Sequence, residues 1–65
     1  MELAIYFKNG QVAYFTDVRN FNEVAYDEDD ASIGSYIEFE YFGLASQRHR
    51  YAKFECYSGY SITTD

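Results

Sequence analysis

The chain has 65 residues with one His, one Cys and no Pro or Trp, which makes residues 1–65 one small domain and excludes a disulfide framework or a Cys/His zinc site. Eleven acidic residues against five basic ones leave a formal net charge of -6, which opposes unassisted binding to nucleic acid or to an anionic membrane. Eight Tyr and six Phe bring aromatic content to 22 %, yet no apolar run approaches the roughly 18 residues of a membrane-spanning helix, and Met1-Glu2 shows no basic segment of a signal peptide.

Glu2 to Lys8 and Gln11 to Thr16 read as strands rich in β-branched and aromatic residues, joined by Asn9-Gly10. Asn-Gly predicts a two-residue type I′ turn, in which both residues take positive φ. That loop length places Lys8 opposite Gln11, Phe7 opposite Val12, Tyr6 opposite Ala13, Ile5 opposite Tyr14 and Ala4 opposite Phe15. Leu3, Ile5, Phe7, Val12 and Tyr14 then form the core face. Ala4, Tyr6, Ala13 and Phe15 form a second face, too apolar for plain solvent exposure. Tyr6 and Phe15 on that face predict a homodimer, with coverage by residues 17–32 as the competing account.

Between Asp17 and Ser32 the pattern is mixed. Val18, Phe21 and Ala25 have helical spacing, and Asp17 suits a helix N-cap. The acids Asp27, Glu28, Asp29 and Asp30 would then sit at the helix C-terminus, where the dipole disfavours them. A turn followed by a short strand at Val24-Ala25-Tyr26 is the better reading, with the acidic run as an exposed loop. Ser35 to Phe42 alternates cleanly, with Ile37, Phe39 and Tyr41 on one side and Tyr36, Glu38, Glu40 and Phe42 on the other. His49 to Tyr57 is its partner. Pairing Phe39 with Ala52 and Ile37 with Phe54 sets Glu38 opposite Lys53, a favourable cross-strand pair, and leaves Leu44 to Gln47 as the loop. Tyr60 to Thr64 reads as a short last strand. The expected fold is all-β: a small antiparallel twisted sheet of four to five strands built from two hairpins.

Catalytic chemistry finds little footing in these residues. His49 and Cys56, placed on one strand seven positions apart, face opposite ways and lie about 23 Å apart, which excludes a Cys–His dyad. No phosphate-binding glycine motif and no Ser–His–acid pattern occurs. The Asp27–Asp30 run lacks the glycine and the later Glu of a calcium loop, so a solvated acidic turn is its plainer account. The sequence thus predicts no enzyme, no cofactor and no metal. Arg48 and Arg50, with Tyr51 and Lys53, form a small basic and aromatic group suited to single-stranded nucleic acid, but they sit in a chain of net negative charge. The larger constellation is acids mixed with aromatics. Glu38 and Glu40 share a strand face at about 6.8 Å. Tyr36 and Phe42 lie beside them, and Asp27, Glu28, Asp29 and Asp30 follow in the loop. Carboxylates held in register can replace phosphates in a basic channel, and Tyr adds contact area at low entropy cost.

The segments Ala4 to Phe15 and Ile37 to Gly43 resemble those of short proteins encoded by Firmicutes prophages and mobile elements, among which are anti-CRISPR proteins. The resemblance lies in size, charge and hairpin style, and it carries over no functional residue. It implies a phage-type inhibitor, acting as an acidic nucleic-acid mimic on a basic, nucleic-acid-binding host defence protein such as a CRISPR effector nuclease, in the cytoplasm of a bacterial host. On this reading the protein binds neither nucleic acid nor membrane directly. A structural or oligomerisation module without nucleic-acid mimicry is the alternative.

Overall fold

Gly10 decides how the first two strands meet. In a computed structural model, which describes residues 1–64, Gly10 takes φ +87° while Asn9 stays at negative φ. The Gly10 N–H donates to the Phe7 carbonyl at 3.0 Å, and the Phe7 N–H donates to the Gln11 carbonyl at 2.9 Å. The loop is therefore Lys8-Asn9-Gly10, a three-residue turn closed by a left-handed glycine, and the expected type I′ turn does not form. One extra loop residue slips the register by one. Strand β1 (Glu2–Tyr6) pairs with β2 (Val12–Phe15) as Leu3 with Phe15, Ala4 with Tyr14, Ile5 with Ala13 and Tyr6 with Val12. Because strand side chains alternate, that slip turns β2 over. Phe15 goes into the core beside Leu3 and Ile5, whereas Tyr14 and Val12, expected inside, are exposed.

The chain continues with β3 (Arg19–Ala25), a single 3-10 turn at Ala31–Ile33, β4 (Ser35–Gly43), β5 (Arg48–Phe54) and β6 (Gly59–Thr63). All pairing is antiparallel, in two three-stranded sheets ordered β2-β1-β6 and β3-β4-β5. The all-β class and both hairpins stand. The four or five strands of one sheet become six strands in two, because β6 pairs with β1 and a full strand β3 pairs with β4. Residues 19–25 gave little sign of a strand because of a bulge: the register shifts between Arg19 and Asn22, and Asn20 takes φ +55°. The bulge breaks strict alternation and points Phe21 inward, against Phe39 and Tyr60. The β4–β5 register is the expected one, with Ile37 opposite Phe54, Glu38 opposite Lys53 and Phe39 opposite Ala52, around the loop Leu44–Gln47. Strand β5 ends at Phe54, so the exposed Cys56 lies beyond it and does not share a strand with His49.

The two sheets stack face to face. Leu3 and Ile5 of β1 meet Ile37 and Phe39 of β4, all at most 2 % exposed, and Val18 closes the corner between the sheets. Val18 also exchanges backbone hydrogen bonds with Met1, in both directions. Around these sit half-buried aromatics from both sides: Phe7 and Phe15 from the first hairpin, Tyr41 and Phe54 from the second, and Tyr57 and Tyr60 from the last segment. Full burial of a residue such as Phe or Leu contributes about 1.5–3 kcal/mol, so this short list carries most of the stability of a domain this small.

The slipped register makes a direct prediction. Phe15→Ala should destabilise the domain by about 3 kcal/mol, whereas Tyr14→Ala should change stability by less than about 0.5 kcal/mol. Urea denaturation of the two variants checks this, and a two-residue turn would give the opposite order. Gly10→Val should cost a further, independent 1–2 kcal/mol or so, because a β-branched residue resists positive φ.

Candidate partner-binding face

The outer face of the second sheet gathers the polar and aromatic side chains that the inner face rejects. Alternation along β4 sends Ile37, Phe39 and Tyr41 inward and Tyr36, Glu38, Glu40 and Phe42 outward. Four of the expected partner-binding residues therefore share one surface. Strand β5 adds His49, Tyr51 and Lys53 beside them, and β3 adds Arg19, Asn22 and Val24. The contribution of β3 was hidden in the sequence by its bulge; that of Tyr51 and Lys53 follows from the β4–β5 register.

Each acid on this face has a distinct environment. Glu38 accepts a hydrogen bond from the Tyr51 hydroxyl at 2.9 Å and has no cationic partner among the described residues. The carboxylate holds the Tyr51 phenol above its ordinary pKa. Glu40 accepts from the Asn20 amide and lies 3.6 Å from the Arg19 guanidinium. These partners, the Asn20 bond first, lower the Glu40 pKa. The expected Glu38–Lys53 pair does not form, although the two residues face one another. Lys53 turns to Glu55 at 3.3 Å and lies 4.4 Å from the centre of the Tyr36 ring. The Glu55 bond raises the Lys53 pKa. Tyr36 in turn packs on Tyr26, with ring centres 5.4 Å apart. At the other end of the sheet, Phe42 meets the edge of His49, which lies 3.1 Å from Asp17. Asn20, Asn22, Glu38, Glu40 and Tyr51 line a shallow hollow between these groups.

The acidic run lies at the β3–β4 connection, at the Tyr36 end of the face and off the sheet itself. It is more ordered than a solvated loop requires. Asp27 Oδ1 accepts the Asp29 N–H at 2.9 Å, and Asp30 Oδ1 accepts the Ser32 N–H at 3.0 Å and the Ser32 hydroxyl. The Ser32 bonds lower the Asp30 pKa. Asp27 and Asp30 thus fold the turn, and Glu28 and Asp29 are the acids left to face outward. The basic group of β5 is split: Tyr51 and Lys53 lie on the outer face, whereas Arg48 and Arg50 pair with Gly43 and Tyr41 on the inner side, near the Leu44–Gln47 loop. The four do not form one surface for a single strand of nucleic acid.

No three or more His, Cys, Asp or Glu residues cluster as metal ligands among the described residues. No helix there is long and apolar enough to cross a membrane. Compared with family models, curated proteins and solved structures, the chain finds no match.

The Glu40 environment has a pH signature. Its folded pKa lies below the unfolded value near 4.5, so the stabilisation is complete above that value and is lost as pH falls through the lower folded pKa. In Asn20→Gly, which keeps the left-handed backbone but removes the amide, the Glu40 midpoint should rise toward 4.5. Carboxyl carbon chemical shifts followed against pH measure it; a midpoint identical in both proteins would dissociate Asn20 from the carboxylate.

Proposed function

We propose that the protein is a non-enzymatic binding protein whose acidic outer face occupies the nucleic-acid channel of a basic host defence protein, as a phage-type, anti-CRISPR-like inhibitor acting in the cytoplasm of a bacterial host. The observation that carries this reading is the outer face of β4. Glu38 and Glu40 project from one strand, flanked by Tyr36, Tyr51 and Phe42, and among the described residues Glu38 has a hydroxyl but no cation to satisfy it. A carboxylate oriented by a neutral donor keeps its charge available to an incoming Arg, which can engage it in two parallel hydrogen bonds. The surrounding Tyr rings supply area that orders at little entropic cost. Glu28 and Asp29, beyond the sheet end, extend the negative field and speed encounter with a cationic partner.

An alternative reading, a structural or oligomerisation module, draws support from the outer face of the first sheet, where Glu2 is the single charged strand residue. The two readings use different surfaces and are separable by variants.

The experiment is capture from a bacterial lysate on the immobilised protein, identification by mass spectrometry, and inhibition of the purified captured partner. The expected partner is a nucleic-acid-binding protein whose capture is competed by duplex DNA or RNA. Glu38→Lys with Glu40→Lys should weaken binding by about 2–5 kcal/mol, mostly through faster dissociation. Glu28→Asn with Asp29→Asn should instead slow association and flatten its salt dependence. A folded double reversal, verified by circular dichroism, that inhibits as well as the parent protein would leave the acidic face a solubilising surface only.

A further inference from the structure

The outer face of β2-β1-β6 differs in kind from the acidic face. Glu2 is the single charged residue in the three strands. Alternation puts Glu2, Ala4, Tyr6, Tyr14, Ser61 and Thr63 on this side. Tyr14 stands 77 % exposed. Next to it a shallow trough runs over Ala4 and Ser61, walled by Tyr6 and Tyr14, and Glu2 lies at it too. The Tyr6 hydroxyl is tied to the Ser61 hydroxyl at 3.1 Å, which fixes that wall. Phe15, expected on this surface, is in the core, so the projecting group is Tyr14.

We propose that this face is the interface with a second copy of the chain, in a two-fold arrangement that seats each Tyr14 ring in the Ala4–Ser61 trough of the other copy. Charge selects the occupant. A second copy carries a formal charge of -6, and an approach through the β3-β4-β5 face would set Glu38, Glu40 and the Asp27–Asp30 turn against themselves. Approach through β2-β1-β6 brings together surfaces with one charged strand residue each, Glu2, so two copies meet far less repulsion there, and a basic partner gains only that single carboxylate. Shape agrees with charge. A projecting ring and a hollow lie side by side on one patch, and a two-fold axis requires such self-complementarity. Each Tyr seated in this way can bury on the order of 150 Å², at low entropic cost. The dimer leaves both acidic faces directed outward, so it is compatible with the proposed inhibitor and does not depend on it.

Light scattering after gel filtration, across a dilution series, tests this. The parent protein should run at twice the 7.6 kDa chain mass and dissociate on dilution. Tyr14→Glu, at an exposed position, should fold normally and weaken the dimer by at least about thirtyfold, and Ser61→Arg, which fills the trough from β6, should do the same. Tyr51→Glu on the other sheet should leave the dimer intact. A parent protein monomeric at every concentration overturns the proposal. So does a dimer broken by Tyr51→Glu but not by Tyr14→Glu. A dimer sensitive to Tyr14→Glu yet indifferent to Ser61→Arg would place the contact at the open edge of β2 and overturn it equally.

Discussion

The Phe15 ring joins the two sheets. It packs edge-on against Phe39 and Tyr41 at 5.0 Å and against Phe54 at 5.8 Å, so one side chain from the first hairpin touches both strands of the second. Phe39 and Phe54 stack on each other beneath it, and Phe7 reaches Phe54 from the same hairpin. Phe7 with Phe54 and Phe21 with Tyr60 also cross between the sheets, each through one aromatic pair, whereas Phe15 meets three rings of the second sheet. Everything that puts Phe15 inside therefore bears on the whole fold. The left-handed Gly10 sets the loop at three residues, the loop sets the register, and the register turns Phe15 inward and Tyr14 out.

A division of labour between the outer faces follows from the same packing. Once both inner faces are filled with aromatics, each sheet keeps one free side. The first sheet keeps small and hydroxyl-bearing groups around two Tyr rings, with the single carboxylate of Glu2. The second keeps Arg19, Glu38, Glu40 and Lys53, arranged so that Arg19 and Lys53 are engaged by Glu40 and Glu55 while Glu38, among the described residues, is held by a phenol and no cation. The two free surfaces of this short chain thus differ in chemistry, one nearly without charge and the other carrying acids, bases and aromatics together.

How much of this was legible in the sequence depends on the segment. The β4–β5 hairpin was readable to the residue, because Ile37, Phe39 and Tyr41 alternate with Tyr36, Glu38 and Glu40, and only one register buries the first set opposite Ala52 and Phe54. The first hairpin was not. Both sides of Val12–Phe15 are apolar, so a slip of one residue exchanges Tyr14 for Phe15 without violating any pattern, and Asn9-Gly10 serves a two-residue or a three-residue loop. Strand β3 was obscured by its own bulge, which breaks alternation where Val18, Phe21 and Ala25 happen to have helical spacing. The candidate face was half visible: Glu38, Glu40, Tyr36 and Phe42 follow from alternation. The preference of Lys53 for Glu55 and Tyr36 over Glu38 is a matter of side-chain reach that register alone does not determine.

Strand β4 also separates charge along its length. The four acids of residues 27–30 precede its first residue, while Arg48 and Arg50 pair with its last turn-proximal positions, about 26 Å away at the usual rise per residue. The molecule consequently carries a permanent dipole along the strand axis, in addition to its net charge. In the field of a strongly cationic body, net charge draws the protein closer, and the dipole applies a torque that turns the acidic end forward before any contact is made. On the proposed reading, the protein thereby arrives already aligned, with the Tyr36 end of its second sheet leading.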